Sequence, residues 1–247
     1  MAVTLIQAPS NALRTLYYAT KQCTAYAPEP FNVVEQDKAE KIVMNAIKSG
    51  HDSILEHVSF TFKLSDISRA CTHQLVRHRM ASYAQCSQRY VNAENASTKI
   101  PEKIRTLPDL YQEAQQLSEQ CHAFYKKCID NGIPKEDARY FLPEGTFTSI
   151  VCTMNCRELI HFFNLRCCYR AQWEIRNVAW GMLKMCRKVM PYVFNEVGPQ
   201  CWRLGHCPEV RKCYQYDASI DMCSKNKEQK PKVDVEEPTN KSIYENV

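Results

Sequence analysis

Apolar and polar residues recur with two different periods along the chain. Val58, Phe60, Phe62 and Leu64 alternate with Ser59, Thr61 and Lys63, the period of a half-buried strand. Residues 146–154 (TFTSIVCTM) are rich in β-branched side chains and read as a second strand; residues 3–8 read as a short one. Elsewhere the period is three to four. Ala39, Ile42, Val43, Ala46 and Ile47 share one face of a helix over 36–49, with Gly50 as its stop. Leu110, Ala114, Leu117, Cys121, Phe124 and Cys128 form the clearest stripe, on a helix over 109–130 that ends at Asn131-Gly132, and Pro134 can begin another short helix. Ser65 is a candidate cap for a helix running through Leu75. Asn155, with Glu158 three residues on, has the form of a capping box. Helix continues from there, with at most one break, to Met190, where Pro191 stops it. Its second half carries Ile175, Val178, Ala179, Met182, Leu183, Cys186, Val189 and Met190 on one stripe. Strands among long helices without regular βαβ alternation indicate an α+β fold.

Composition narrows the class. The 247 residues are 45% apolar and 24% charged, enough for a sizeable core in one large domain or two small ones. No run of 18 apolar residues occurs. The N-terminus, MAVTLIQAPSNALR, lacks the basic start and apolar core of a secretory signal, so a cytoplasmic protein is expected, without membrane association. The 14 cysteines are scattered, several on apolar helix faces, as reduced thiols acting as small core residues would be. Residues from Ser224 onward are rich in Lys, Glu, Asn and Pro and read as a disordered tail. Their charges balance, so the net +5 lies in the folded part. That excess suits phosphorylated small molecules and could suit nucleic acid. Among the six glycines there is no G-x-G-x-x-G and no G-K-[ST], which disfavours Rossmann units and P-loops. A phosphate must then be held mainly by side chains.

The segment Arg77-His78-Arg79-Met80-Ala81-Ser82-Tyr83-Ala84-Gln85-Cys86-Ser87-Gln88-Arg89-Tyr90 concentrates three arginines, a histidine and two serines with no acid. Guanidinium groups this close repel one another unless anions are bound, and Arg prefers bidentate contact with phosphate or carboxylate. On charge alone, a solvated basic face and an anion site both remain open.

Arg77-His78-Arg79, seven residues, then Ser87, followed by Arg89-Tyr90, resembles the signature of flavin-dependent thymidylate synthases. Other segments agree in order: Gly50-His51-Asp52-Ser53 with Glu56-His57; Ala138-Arg139 before Leu142-Pro143; and Asn155, Arg157 and Asn164-Leu165-Arg166 before Ala171-Gln172-Trp173-Glu174. The similarity spans roughly residues 50–195. It implies an antiparallel-rich central sheet with flanking long helices, a homotetramer with active sites between subunits, and reductive methylation of dUMP to dTMP. FAD would be the bound cofactor, with NADPH and 5,10-methylenetetrahydrofolate as co-substrates. By this resemblance Ser53, Glu56, Arg77, His78, Arg79, Gln85, Asn155, Arg157 and His161 bind FAD. Gln74, Arg77, Gln85, Ser87, Arg89, Arg139 and Arg166 hold dUMP. Arg166 is the catalytic residue: a fixed cation facing the uracil lowers the pKa of ring N3 and enriches the carbon to be alkylated. The implied organisation is a catalytic domain over 1–200, a Cys-containing extension over 201–223 and a charged tail over 224–247.

Some members have Glu at the position of Gln85 and Asn at those of Ala84 and His161; Gln and His still hydrogen-bond, so altered contacts are expected. Arg170 stands where some members have His; it is four residues from Glu174 and can pair with it. Arg157 and His161 share a helix face, while Arg166 lies about half a turn away. Cys201, Cys207, Cys213 and Cys223 are separated by five, five and nine residues, unlike the close C-x₂₋₄-C pairs of zinc modules, and no metal is expected. Cys86 is not expected to be a nucleophile, and Ser87 lacks a Ser-His-Asp arrangement. Trp173 and Trp180 read as core or interface residues. The alternative class, an RNA-binding protein using the Arg-rich segment, has no RNP-like or KH-like motif behind it.

Overall fold

The computed structural model describes residues 1–223 and 234–236. From the N-terminus, β1 (Ala2–Gln7) leads to α1 (Ala12–Gln22) and α2 (Gln36–Lys48). Then come β2 (Ser59–Ser68), α3 (Arg69–Leu75) and β3 (Ala81–Gln85). The middle of the chain holds α4 (Glu102–Arg105), α5 (Pro108–Asp130) and α6 (Lys135–Ala138). Next are β4 (Phe147–Asn155), α7 (Cys156–Arg166) and α8 (Trp173–Val189). Short elements follow: α9 (Pro191–Phe194), α10 (Gln200–Leu204), β5 (Tyr216–Asp217), β6 (Met222–Cys223) and β7 (Asp234–Glu236). The main sheet has the order β3-β4-β2-β1-β7. β2 and β4 run antiparallel, since Cys156 N–H donates to Val58 O at one end and Arg69 N–H to Thr146 O at the other. The β1–β7 pair is parallel. The expected α+β class with an antiparallel-rich sheet is what the chain forms. No helix among the described residues is long and apolar enough to cross a membrane.

The chain divides into two compact units, Leu64–Arg77 with Tyr83–Val151 (and Met1), and Ala2–Lys63 with His78–Ser82 and Cys152 onward. In the second, Phe60 and Phe62 of β2 are fully buried and stacked, and Phe194 meets Phe60 and Phe163 edge-on. α8 buries most of its length. In the first, Tyr125, Ala93 and Ala138 form a small core, and the Ala93 N–H donates to Tyr125 Oη.

Several local expectations need correction. Ser65 caps no helix: β2 continues to Ser68, whose Oγ accepts from Cys71 N–H at 3.0 Å and caps α3. Asp66, at φ 54°, adopts the left-handed conformation that Asp tolerates better than most residues. The alternation breaks there, so Ile67 and Ser68 are both buried. The one break allowed for in the long C-terminal helix falls over residues 167–172, where the Gln172 side chain accepts from Glu174 and Ile175 N–H and starts α8 afresh. The helix read over 109–130 forms as α5, with Leu110, Leu117 and Phe124 of its stripe 49%, 63% and 45% exposed. α1 carries no signal read from the sequence. The tail expected to be disordered, 224–247, lies outside the described residues except for Asp234–Glu236.

Candidate functional site

In the second unit the site is built on α7. Asn155 caps it as the sequence pattern implies, its side-chain oxygen accepting from Glu158 N–H at 2.9 Å. The Glu158 side chain does not close the capping box. It is buried, 8% exposed, and its Oε1 accepts from Nδ1–H of His78 at 2.9 Å. His78, 4% exposed, accepts at Nε2 from Arg166 Nε–H at 3.1 Å. Because guanidinium only donates, this contact sets the tautomer: the proton sits on Nδ1, facing the carboxylate. Burial pushes the His78 pKa below its ordinary value and the Arg166 and His161 charges act the same way, against the Glu158 pair. The imidazole is therefore neutral and links a buried carboxylate to the cation at the end of α7. The Phe162 ring packs edge-on against it at 4.9 Å. His78, Glu158 and His161 also bring donor atoms within metal-binding reach of one another. Both His78 nitrogens are already engaged, however, and Arg166 lies on one of them.

The rest of this set lies outside. Arg157 is exposed and pairs with Glu56, which sits in the 3₁₀ turn Asp52–His57 together with exposed Ser53. His161, one turn beyond Arg157, and Arg79 are exposed. Arg170 pairs with Glu209, not with Glu174.

Gln74, Arg77, Gln85, Ser87, Arg89 and Arg139 belong to the first unit, where Arg89 and Arg139 meet at Glu136. Gln85 Nε2 donates to Thr72 Oγ1 at 3.1 Å. Ser87 Oγ accepts from Arg89 N–H at 3.2 Å, within a turn closed by Val91 N–H to Ser87 O. Arg89 Nε donates to a Glu136 carboxylate oxygen at 2.8 Å, and Arg139 Nε to the Glu136 backbone carbonyl at 3.1 Å. Arg77 is exposed. Arg69, which sequence reasoning missed, belongs to this group. Its Nη2 donates to Cys86 O at 2.9 Å, while its buried Nε has no partner among the described residues. Burial foremost lowers its pKa, with the Arg139 charge adding and Cys86 and Glu144 opposing. A set of donor-only guanidinium groups with one orphaned buried N–H suits an anion. Glu158 was also missed, having been read only as a capping residue; an acid beside Leu159, Phe162 and Phe163 on a buried face was the available signal.

A family model described as thymidylate synthase complementing protein matches residues 4–192. The chain is 42% identical over 217 residues to a protein of Pyrococcus furiosus named flavin-dependent thymidylate synthase, covering 84% of this chain and 89% of that one. A protein of the same name from Nitratidesulfovibrio vulgaris is 40% identical over 237 residues, 89% and 97% of the two chains. One from Geobacter sulfurreducens is 49% identical over 162 residues, 65% and 69% of the two chains. By its own motifs and by this similarity along most of its length, the chain belongs to the family of flavin-dependent thymidylate synthases.

Proposed function

We propose that this protein binds FAD and converts dUMP to dTMP with 5,10-methylenetetrahydrofolate as one-carbon donor and NADPH as reductant. The observation that carries the reading is the Glu158–His78–Arg166 relay, a buried carboxylate and neutral imidazole that hold one guanidinium at the end of α7. A cation held in place this way needs no reorganisation when negative charge develops on a substrate ring. Arg166 faces the uracil, favours its N3 anion and raises electron density at the carbon that accepts the methyl group.

The donor chemistry fits both ligands. Arg69, Arg89, Arg139, Ser87, Gln74 and Gln85 would take dUMP, the arginines its phosphate. Exposed Ser53, Arg77, Arg79, Arg157 and His161 would hold FAD, with Glu56 orienting Arg157, Asn155 supporting the start of α7 and Gln85 shared between ligands. His78, turned inward, serves the flavin side by fixing its neighbours. When bound, the flavin supplies the hydride that completes the methyl group. Residues 1–200 would form the catalytic part. The heptad-spaced, exposed Leu110, Leu117 and Phe124 of α5 support a homotetramer, since such a stripe is ordinarily covered by another helix. The protein would act in a reducing cytoplasm, where its fourteen cysteines stay as thiols.

Purified full-length protein should be yellow, carry stoichiometric FAD, form dTMP and scatter light as a tetramer. Apoprotein that cannot be reconstituted with FAD would overturn the cofactor assignment, and a fully active monomer would overturn the assembly.

A further inference from the structure

The extension over 201–223 has little apolar surface with which to hold itself together, and segments below about 40 residues ordinarily need a disulfide, a metal or a partner. Cys201, Cys207 and Cys223 are buried together with Tyr169, and Cys213, Trp202, Tyr216 and Met222 pack on them. Within this cluster Cys213 Sγ and Cys223 Sγ stand 3.2 Å apart, from residues separated by 10 positions along the chain. A disulfide needs about 2.05 Å between its sulfurs, so closing the pair calls for about 1 Å of approach, which side-chain rotation can supply.

The backbone keeps the two sulfurs in register. Cys223 of β6 pairs with Tyr216 of β5, and Tyr216 N–H donates to Cys213 O at 3.1 Å, so the turn into β5 sets Cys213 beside Cys223. Trp202 Nε1–H donates to Cys223 O at 2.9 Å. Asp221 braces the ribbon, accepting from Tyr216 Oη at 2.7 Å and pairing with Lys212 at 3.7 Å. The two thiols differ in access: Cys223 is 1% exposed, whereas Cys213 is half-buried. Both line a cavity of about 320 Å³, which Arg166 and Arg170 also line. Burial pushes the Cys223 thiol well above its ordinary pKa, with the neighbouring Cys213 adding. Cys223 therefore stays protonated, and the more open Cys213 is the thiol that meets a reagent.

We infer that Cys213 and Cys223 form a reversible redox site, a dithiol at rest that a hydroperoxide converts to a disulfide. An accessible cysteine beside a buried resolving one is the arrangement of redox-sensing thiols, and in a reducing compartment such disulfides are transient. Cys213, as the thiolate, attacks hydrogen peroxide: an S–O bond forms, the O–O bond breaks, and the leaving hydroxide takes up the proton that Cys213 gave up. Cys223 then attacks the sulfur of the resulting sulfenic acid. The S–S bond forms, the S–O bond breaks, and the hydroxyl leaves as water with the Cys223 proton. The pair loses two electrons and the peroxide is reduced to two waters. Small dithiols reverse the change by thiol–disulfide exchange. The cross-link ties β6 to the segment whose Glu209 and Arg211 O hold Arg170, so oxidation stiffens one wall of the cavity that Arg166 lines.

The test treats the full-length protein, as purified and without added reductant, with hydrogen peroxide, then alkylates the remaining thiols and maps them by mass spectrometry. No Lys or Arg lies between Cys213 and Cys223, so trypsin releases both in one peptide that begins after Lys212. That peptide should become lighter by two hydrogen atoms and lose both alkylation sites, at a peroxide dose that leaves the exposed Cys23 a thiol. Dithiothreitol should restore both sites. In Cys223→Ser, Cys213 should stop at the sulfenic acid and be captured by dimedone, whereas Cys213→Ser should give no dimedone adduct at Cys223. Should a serine variant fail to fold, the peptide map of the parent still decides. A pair that stays reduced while Cys23 is oxidised, Cys223 joined instead to Cys201 or Cys207, a cross-link that dithiothreitol cannot open, or a dimedone adduct on Cys223 in Cys213→Ser would each overturn the inference.

Discussion

Replacing Arg166 by alanine tests the centre of the proposed mechanism. Its guanidinium is half-buried at the C-terminal end of α7, where the helix carbonyls favour a cation. His78 Nε2 takes its Nε–H at 3.1 Å, and Glu158 holds His78 from behind at 2.9 Å. The substitution removes a charge-assisted contact to dUMP, worth about 1.5–3 kcal/mol. It also removes a preorganised charge aimed at the anionic ring, and losing one such donor costs about 2.7–4 kcal/mol in comparable sites. These overlap, and even the lower figure of the second corresponds to about 100-fold in rate. FAD should remain bound, because Arg157 and His161 lie on the exposed side of the same helix. Arg166→Lys should recover only part of the activity, since it keeps the charge but loses the planar fork and the Nε–H that His78 accepts. The assay is the rate of dTMP formation at saturating folate and NADPH, with flavin absorbance read on the same sample. Near-parental turnover in a folded, FAD-loaded Arg166→Ala protein would refute the role given to Arg166.

Three further outcomes follow from the same geometry. Glu158→Ala leaves the buried His78 Nδ1–H without its acceptor and should destabilise the protein by about 1–3 kcal/mol; an unchanged denaturant midpoint would show that the pair holds nothing. His78 has a folded pKa below its unfolded value of about 6.5, so the unfolded chain takes up the proton first as pH falls. Its contribution is complete above about pH 6.5 and is lost as pH falls from there through the folded pKa; His78→Gln should flatten that acid limb, and an identical limb in the variant would assign the loss to other groups. Cys86→Ala should still form dTMP, because the contacts given to Cys86 by Ser149 and Arg69 are to its backbone; complete loss of turnover with FAD bound would reveal a required thiol.

What the sequence determined by itself is what depends on near neighbours. The alternation of Phe60, Phe62 and Leu64 makes one face of β2, the three-to-four spacing makes α2, α5 and α8, and Asn155 caps α7 because an Asn side chain reaches the N–H three residues on. The signature from Arg77 to Tyr90 was legible as chemistry because its spacing is a local property of the chain. Tertiary structure decided the rest. His78 lies 80 residues from Glu158 and 88 from Arg166, so no window along the chain contains the relay, and the resemblance implied only that His78 binds FAD. The start of α3 depended on one left-handed residue, Asp66, that shifts the alternation by a position. The α5 stripe had the right period for a core helix, but period reports only that a face wants cover, not whether the same chain supplies it. Cys168, Cys201, Cys207, Cys213 and Cys223 line one cavity, and of these Cys213 and Cys223 meet, because long-range contacts rather than spacing fold the turns after α10 back toward the break before α8.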